Sequence, residues 1–164
     1  MTEVIIKVHI QSEKNAELLA LTNNEMKKST LINADLSGLV ASLGHTDEIT
    51  ICDAGLPIPR QVQRIDLALT YGIPSFLDTV TTILSECQVE GVVLAKEFAK
   101  VSPAHHDALI LELRKEGDKS GRAIDITYVP HEVFKVRTQS SKAVIRTGEC
   151  TPYANIIFQS GVVF

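Results

Sequence analysis

Tryptophan is absent from the 164-residue chain, and aromatic residues make up only 5% of it. A protein that binds single strands by base stacking needs more aromatic faces than this. Basic excess is also missing: the formal net charge is −4. The phosphate backbone of a nucleic acid therefore finds no electrostatic partner. Cysteine is scarce. Cys52, Cys87 and Cys150 stand far apart, with no CxxC spacing. That pattern reads as reduced, space-filling thiols rather than disulfides or metal ligands. No apolar run approaches the roughly 20 residues that span a bilayer. Val4-Ile5-Ile6 is interrupted at once by Lys7 and His9, so the start lacks the core of a secretory signal. The expected setting is the cytoplasm, with neither nucleic acid nor membrane as partner.

Several chemical signatures are missing too. There is no GxSxG, no P-loop, no GxGxxG and no HExxH. What remains is an ordinary globular composition, 45% hydrophobic and 22% charged, long enough for one domain with its own core.

Residues 1–25 read as an added N-terminal extension or an upstream start. A short strand over Thr2–Ile10 and a short helix over Glu13–Leu21 lead into polar Thr22-Asn23-Asn24-Glu25. Met26-Lys27-Lys28 resembles a second start. Residues 26–164 form the core domain. Leu36, Leu39, Val40 and Leu43 have helical spacing, with Asp35 as the expected N-cap and Gly44 as a left-handed C-cap. Glu48–Cys52 is a short strand, followed by the rigid loop Gly55-Leu56-Pro57-Ile58-Pro59. Arg64–Thr70 is a strand, Ser75–Glu86 a helix capped by Ser75, and Val89–Ala95 a buried strand. A helix starts at Ser102-Pro103 and runs to Gly117. Ala123–Tyr128 is a strand, and Pro130-His131-Glu132 opens a short helix through Lys135 and Thr138. Ala143–Arg146, Asn155–Phe158 and Gly161–Phe164 are strand-like. Strands alternating with helices predict a single-domain α/β fold: a layered sheet, parallel at its centre, with helices on both faces.

Ligands in such folds sit beyond the carboxyl ends of strands. Asp53 ends the strand Glu48–Cys52, and His45 stands on the loop before it. As bland alternatives, Asp53 is a turn former that bonds its own backbone, and His45 an exposed turn residue. His131 and Lys135, at i and i+4, point from one helix face. Tyr153 and Asn155 flank a strand entrance, two apart, and alternation puts them on one side. His9 lies in the extension, and His105 and His106 fall on a solvated helix face. The set supplies imidazole, carboxylate, ammonium, phenol and amide. It suits polyol recognition and proton transfer without a cofactor or metal.

Longer motifs carry a resemblance. Gly44-His45-Thr46-Asp47, Cys52-Asp53-Ala54-Gly55-Leu56-Pro57-Ile58-Pro59, Arg64-Ile65-Asp66 and Pro74-Ser75-Phe76 resemble the D-ribose pyranase (ribose mutarotase) family, related to the fucose mutarotases. So does the closing run from Val144 to Ile157. The resemblance covers Met26 to Phe164 and leaves out residues 1–25. It implies a cytoplasmic, cofactor-free isomerase that interconverts the pyranose and furanose forms of D-ribose. It implies His45 as proton donor, and Asp53, His131, Lys135, Tyr153 and Asn155 as sugar contacts. It also implies a homo-oligomer, a decamer of stacked pentamer rings with sites between subunits. A fucose mutarotase-type enzyme and a non-catalytic sugar-binding accessory protein remain as alternatives.

One geometric constraint follows. Five extended residues span about 17 Å, so a straight strand Glu48–Cys52 puts His45 and Asp53 too far apart for one small sugar. Either the chain doubles back near Thr46-Asp47, or two subunits share the site.

Overall fold

The structure, a computed structural model, describes residues 27–164. The expected strand Thr2–Ile10 and helix Glu13–Leu21 lie outside the described residues. The elements run α1 (Ala34–Ser42), β1 (Glu48–Cys52), β2 (Gln63–Asp66), α2 (Phe76–Leu84), β3 (Val89–Ala95), α3 (Lys96–Val101), α4 (Pro103–Ser120), β4 (Asp125–Val129), α5 (His131–Arg137), a single 3-10 turn (Thr138–Ser140), β5 (Ala143–Arg146) and β6 (Ile156–Ser160).

The six strands form one sheet in the order β2-β5-β1-β6-β3-β4. β2 pairs with β5, β5 with β1, and β3 with β4, all in parallel. β6 alone runs antiparallel, between β1 and β3. The sheet is therefore mixed but mostly parallel, as the alternation of elements implied. Helices cover both faces. On one face Ile49, Ile51, Val92, Leu94, Ile145, Ile156 and Phe158 pack against buried residues of α1, α2, α3 and α4. On the other, Val93, Val144 and Ile157 pack against Phe134 of α5 and Leu56 of the loop after β1. Each fully buried Ile, Leu or Phe contributes about 1.5–3 kcal/mol through removal from water.

Several boundaries differ from expectation for local reasons. α1 is capped by Asn33, whose side chain accepts the Leu36 N–H at 3.0 Å, so Asp35 sits inside the first turn. Gly44 takes no left-handed conformation. Asp47 Oδ2 accepts the Gly44 N–H instead (2.9 Å), and Thr46 carries the positive φ of 68°. β2 is shorter than Arg64–Thr70 because Asp66 folds back to accept the Ala68 N–H and ends the strand. α3 went unanticipated. α4 continues past Gly117 to Ser120 and closes at Gly121, whose φ of 70° is left-handed. Gly161–Phe164 forms no strand.

The direction of β6 organises the molecule. β1, β4 and β5 deliver their carboxyl ends to one edge of the sheet. β6 is antiparallel, so its entrance, Tyr153–Asn155, lies at that same edge. The start of β1 and the end of β6 lie at the other edge, where Thr46 N–H donates to the Ser160 carbonyl at 2.8 Å.

Candidate active site

At the edge where the parallel strands end, the loops after β1 and β5, the start of α5 and the entrance to β6 enclose a cleft of ≈ 560 Å³. Asp53, His131, Arg146, Glu149 and Tyr153 line it, with the exposed ring of Tyr71 at its rim.

Asp53 follows directly on β1 and is fixed from three sides. Its N–H donates to Asn155 Oδ1 (2.9 Å), and Asn155 Nδ2 donates to Asp53 Oδ2 (2.9 Å). Its Oδ1 accepts the Gly55 N–H at 2.9 Å, the turn-forming bond expected of an Asp at this position. Asn155 is fully buried, with both ends of its side-chain amide engaged by Asp53. Cys52, just beneath, is pushed up to about 12 by burial and then by the Asp53 charge, which makes it inert as a nucleophile near neutral pH.

His131 opens α5. Its backbone N–H donates to Glu97 Oε2 (3.0 Å), which anchors the helix start. Its ring stacks on Phe134 (centroids 6.3 Å apart, planes at 11°) and meets Tyr153 edge-on at 4.9 Å. Nδ1 is buried without a hydrogen-bond partner among the described residues, and the residue lines the cleft. Tyr153 takes a positive φ of 64°, a costly conformation for a bulky residue. It sits before β6 rather than within it, so strand alternation does not place it. The turn does, and Ala154 N–H donating to the Thr151 carbonyl closes that turn. Lys135 lies one turn beyond His131, outside the cleft lining, with its ammonium 2.7 Å from Glu132.

Glu149 binds the cleft's loops to one another. Its Oε1 accepts the N–H groups of Cys150 and Thr151 (3.0 Å each) and the Thr151 hydroxyl (2.8 Å). Its Oε2 accepts the Phe76 N–H at the start of α2, and its carbonyl accepts the Ala54 N–H. Burial opposes its ionisation, but these bonds win and hold its carboxyl below the ordinary range. Arg146 donates to the Ala54 carbonyl (3.0 Å) and to Asp66 (3.0 Å), bracing the Asp53 loop from β5. Sequence reasoning passed over Arg146, Glu149, Glu97 and Tyr71. For Arg146 a signal existed: a charged residue at the carboxyl end of a buried strand.

His45 is not part of this cleft. It lies at the opposite edge, on the loop before β1, half-exposed, with Nε2 3.0 Å from Glu90 Oε2. It borders a smaller depression of ≈ 270 Å³ with Gln88, Ser160 and Phe164. The chain does not double back at Thr46-Asp47. Within one subunit, His45 and Asp53 occupy the two ends of β1.

Residues 26–163 match the model of the RbsD / FucU transport protein family. The chain belongs to that family. It is 70% identical over 139 residues to a D-ribose pyranase of Vibrio parahaemolyticus, covering 85% of this chain and 100% of the relative. A D-ribose pyranase of Vibrio cholerae is 68% identical over the same coverage. Among solved structures, Bacillus subtilis RbsD complexed with D-ribose superposes with a TM-score of 0.77. It is 44% identical and matched over 85% of this chain and 100% of that one. The fucose mutarotase of Streptococcus pneumoniae, complexed with L-fucose, has a TM-score of 0.71 at 24% identity, which shows a common fold. The resemblance drawn from the motifs therefore holds. Among the described residues no helix is long and apolar enough to cross a membrane.

Proposed function

We propose that this RbsD/FucU family member is an isomerase that interconverts the β-pyranose and β-furanose forms of D-ribose and so supplies furanose for ribose catabolism. One observation carries the reading above all: 70% identity to a D-ribose pyranase along that relative's whole length. The chemistry of the cleft agrees with it. A carboxylate, an imidazole and a phenol line one cleft there, with ample room for a monosaccharide.

The reaction needs two proton transfers. A base takes the proton of the anomeric hydroxyl while an acid protonates the ring oxygen, and the ring opens to the aldehyde. A different hydroxyl then attacks the aldehyde carbon, and the two groups exchange roles. His45 is the acid in this scheme and His131 the second proton-transfer group. Asp53 binds sugar hydroxyls, with Asn155 holding it in place. Tyr153 and Lys135 complete the sugar contacts. Positioned acid–base groups give about 10²–10⁴-fold each, which suffices for a ring opening that already proceeds in water. No cofactor or metal enters.

His45 and Asp53 sit at opposite ends of β1, so a neighbouring subunit supplies one of them to each complete site. The assembly is a cytoplasmic homo-oligomer, a decamer of stacked pentamer rings with its sites between subunits. Saturation-transfer NMR of ribose, with L-fucose in parallel, tests the activity. Faster exchange between ribose pyranose and furanose signals is the expected result. Acceleration of fucose alone would assign the sister activity. Ribose binding without acceleration would make the protein a sugar-binding module.

A further inference from the structure

The edge of the sheet that carries His45 also carries an acid the mechanism has not used. Glu90 lies near the start of β3, facing outward from a strand that is otherwise buried. The pairing of β3 with β6 slips at this residue: Val89 faces Ser160, but Gly91 already faces Gln159. Glu90 is thus the extra residue of a β-bulge, a device that re-aims a side chain beside a site. The bulge sends its carboxylate to His45, with Oε2 at 3.0 Å from Nε2. Gly161 makes room for it, because a Cβ at that position would overlap the Glu90 side chain. Two backbone features therefore serve one contact.

Other charged groups near His45 are engaged elsewhere. Asp47, on the same loop, accepts the Gly44 N–H and lies 3.5 Å from Lys142. Glu86, beyond α2, binds the Leu31 N–H and Lys27. Arg122, from the loop before β4, donates to the Val162 carbonyl. Glu90 alone hydrogen-bonds the ring among the described residues. The bond with His45, followed by the charge of His45, the Val162 backbone and Arg122, holds the Glu90 carboxyl below its ordinary range against its partial burial.

We propose that Glu90 is the positioning residue of His45: its carboxylate accepts the Nε2 proton, and this leaves Nδ1 as the ring atom that exchanges a proton with the sugar. The inference rests on the reading of His45 as the acid. In ring opening, Nδ1–H gives its proton to the ring oxygen as the bond from that oxygen to the anomeric carbon breaks. The base takes the anomeric hydroxyl proton, and the electron pair of that O–H bond becomes part of the aldehyde carbonyl. His45 is left neutral, with its proton on Nε2 facing Glu90. In ring closure Nδ1 takes the proton of the attacking hydroxyl, and the base returns its proton to the carbonyl oxygen.

The test combines ribose ring-exchange kinetics with ¹⁵N NMR of His45 in the full-length oligomer. Glu90→Gln should lower kcat roughly 10–100-fold, the range known for loss of the outer partner of a metal-ligating histidine, and leave KM unchanged. Neutral His45 should show one tautomer, protonated at Nε2, in the wild type and a mixture in Glu90→Gln. Glu90→Asp should recover part of kcat. Gly161→Ala keeps the charge but displaces it, and should reproduce the Glu90→Gln spectrum. Wild-type kcat with an unchanged His45 spectrum in Glu90→Gln would overturn the proposal. A parallel His45→Ala separates the two levels: if it exchanges ribose at the wild-type rate, the role of His45 fails. If it is inactive while Glu90→Gln is normal, only the role of Glu90 fails.

Discussion

Asn155 grips Asp53 at two points: it accepts the backbone N–H with Oδ1 and donates with Nδ2 to the carboxylate, both at 2.9 Å. The two residues are 102 apart in sequence and meet because β6 enters the sheet where β1 leaves it. The grip sets the direction of the one carboxylate that follows β1 into the cleft.

Loss of that grip is expected to cost both stability and binding. Asn155→Ala leaves the Asp53 N–H and one carboxylate oxygen without partners, a loss of about 1–3 kcal/mol. Urea unfolding should show a lower midpoint with an unchanged slope, and NMR titration should show weaker ribose binding. Asn155→Asp is the sharper variant, since it sets a like charge against Asp53. Its binding defect should ease as pH is lowered and one of the two carboxylates takes a proton. Wild-type behaviour in both variants would mean that Asp53 holds its place without Asn155.

Glu149 gives the fold a sensitivity to acid with a definite sign. Its carboxyl is lowered from the ordinary 4.5 because hydrogen bonds from Thr151, Phe76 and Cys150 outweigh burial. A folded-state value below the unfolded one means stability that is fully present above pH 4.5 and is lost as pH falls through the folded value. Glu149→Gln should therefore lower the melting temperature at pH 7 and flatten the melting curve's dependence on pH below 4.5. Glu86, Glu90 and Glu97 are lowered too, so some acid sensitivity will remain in the variant. Equal acid slopes in variant and wild type would show that the Glu149 bonds do not outweigh its burial.

The three thiols should separate cleanly by reactivity. Burial pushes Cys52 up to about 12 and Cys87 up to about 11, while Cys150 is exposed beside the cleft. A thiol reagent at pH 7–8 should label Cys150 in the native protein and all three cysteines in denaturant. A bulky adduct there should slow ribose exchange, and Cys150→Ser should abolish both labelling and inhibition. Rapid native labelling of Cys52 would contradict the packing described beneath Asp53.

Much of this molecule was legible locally. β1, β3 and β5 are short apolar runs between clear breakers, and their observed limits match those expected. Asp53, His131 and Tyr153 line one cleft, and each lies close to where a strand ends or begins, a position that sequence shows. What stayed hidden depends on pairing between distant strands. Nothing local tells that β6 runs against its neighbours, and that direction is what brings Asn155 under Asp53. Glu90 reads as a polar interruption of an apolar run, because a bulge depends on the partner strand. Glu149 looks like a turn residue until its carboxylate is seen to join its own loop to the start of α2, while its carbonyl holds Ala54. Gly44 suggested a left-handed cap, but Asp47 satisfied its N–H and moved the positive φ to Thr46.

The central claim is that His45 of one subunit completes a site begun by Asp53 of another. Co-expression of His45→Ala and Asp53→Ala chains, followed by ribose ring-exchange NMR on the purified mixed oligomer, tests it most directly. Each variant alone should be nearly inactive. A random equal mixture in a ring of identical contacts should restore about a quarter of the wild-type rate, because that share of sites receives both intact residues. A mixture no more active than the mean of its two parents would contradict the shared site.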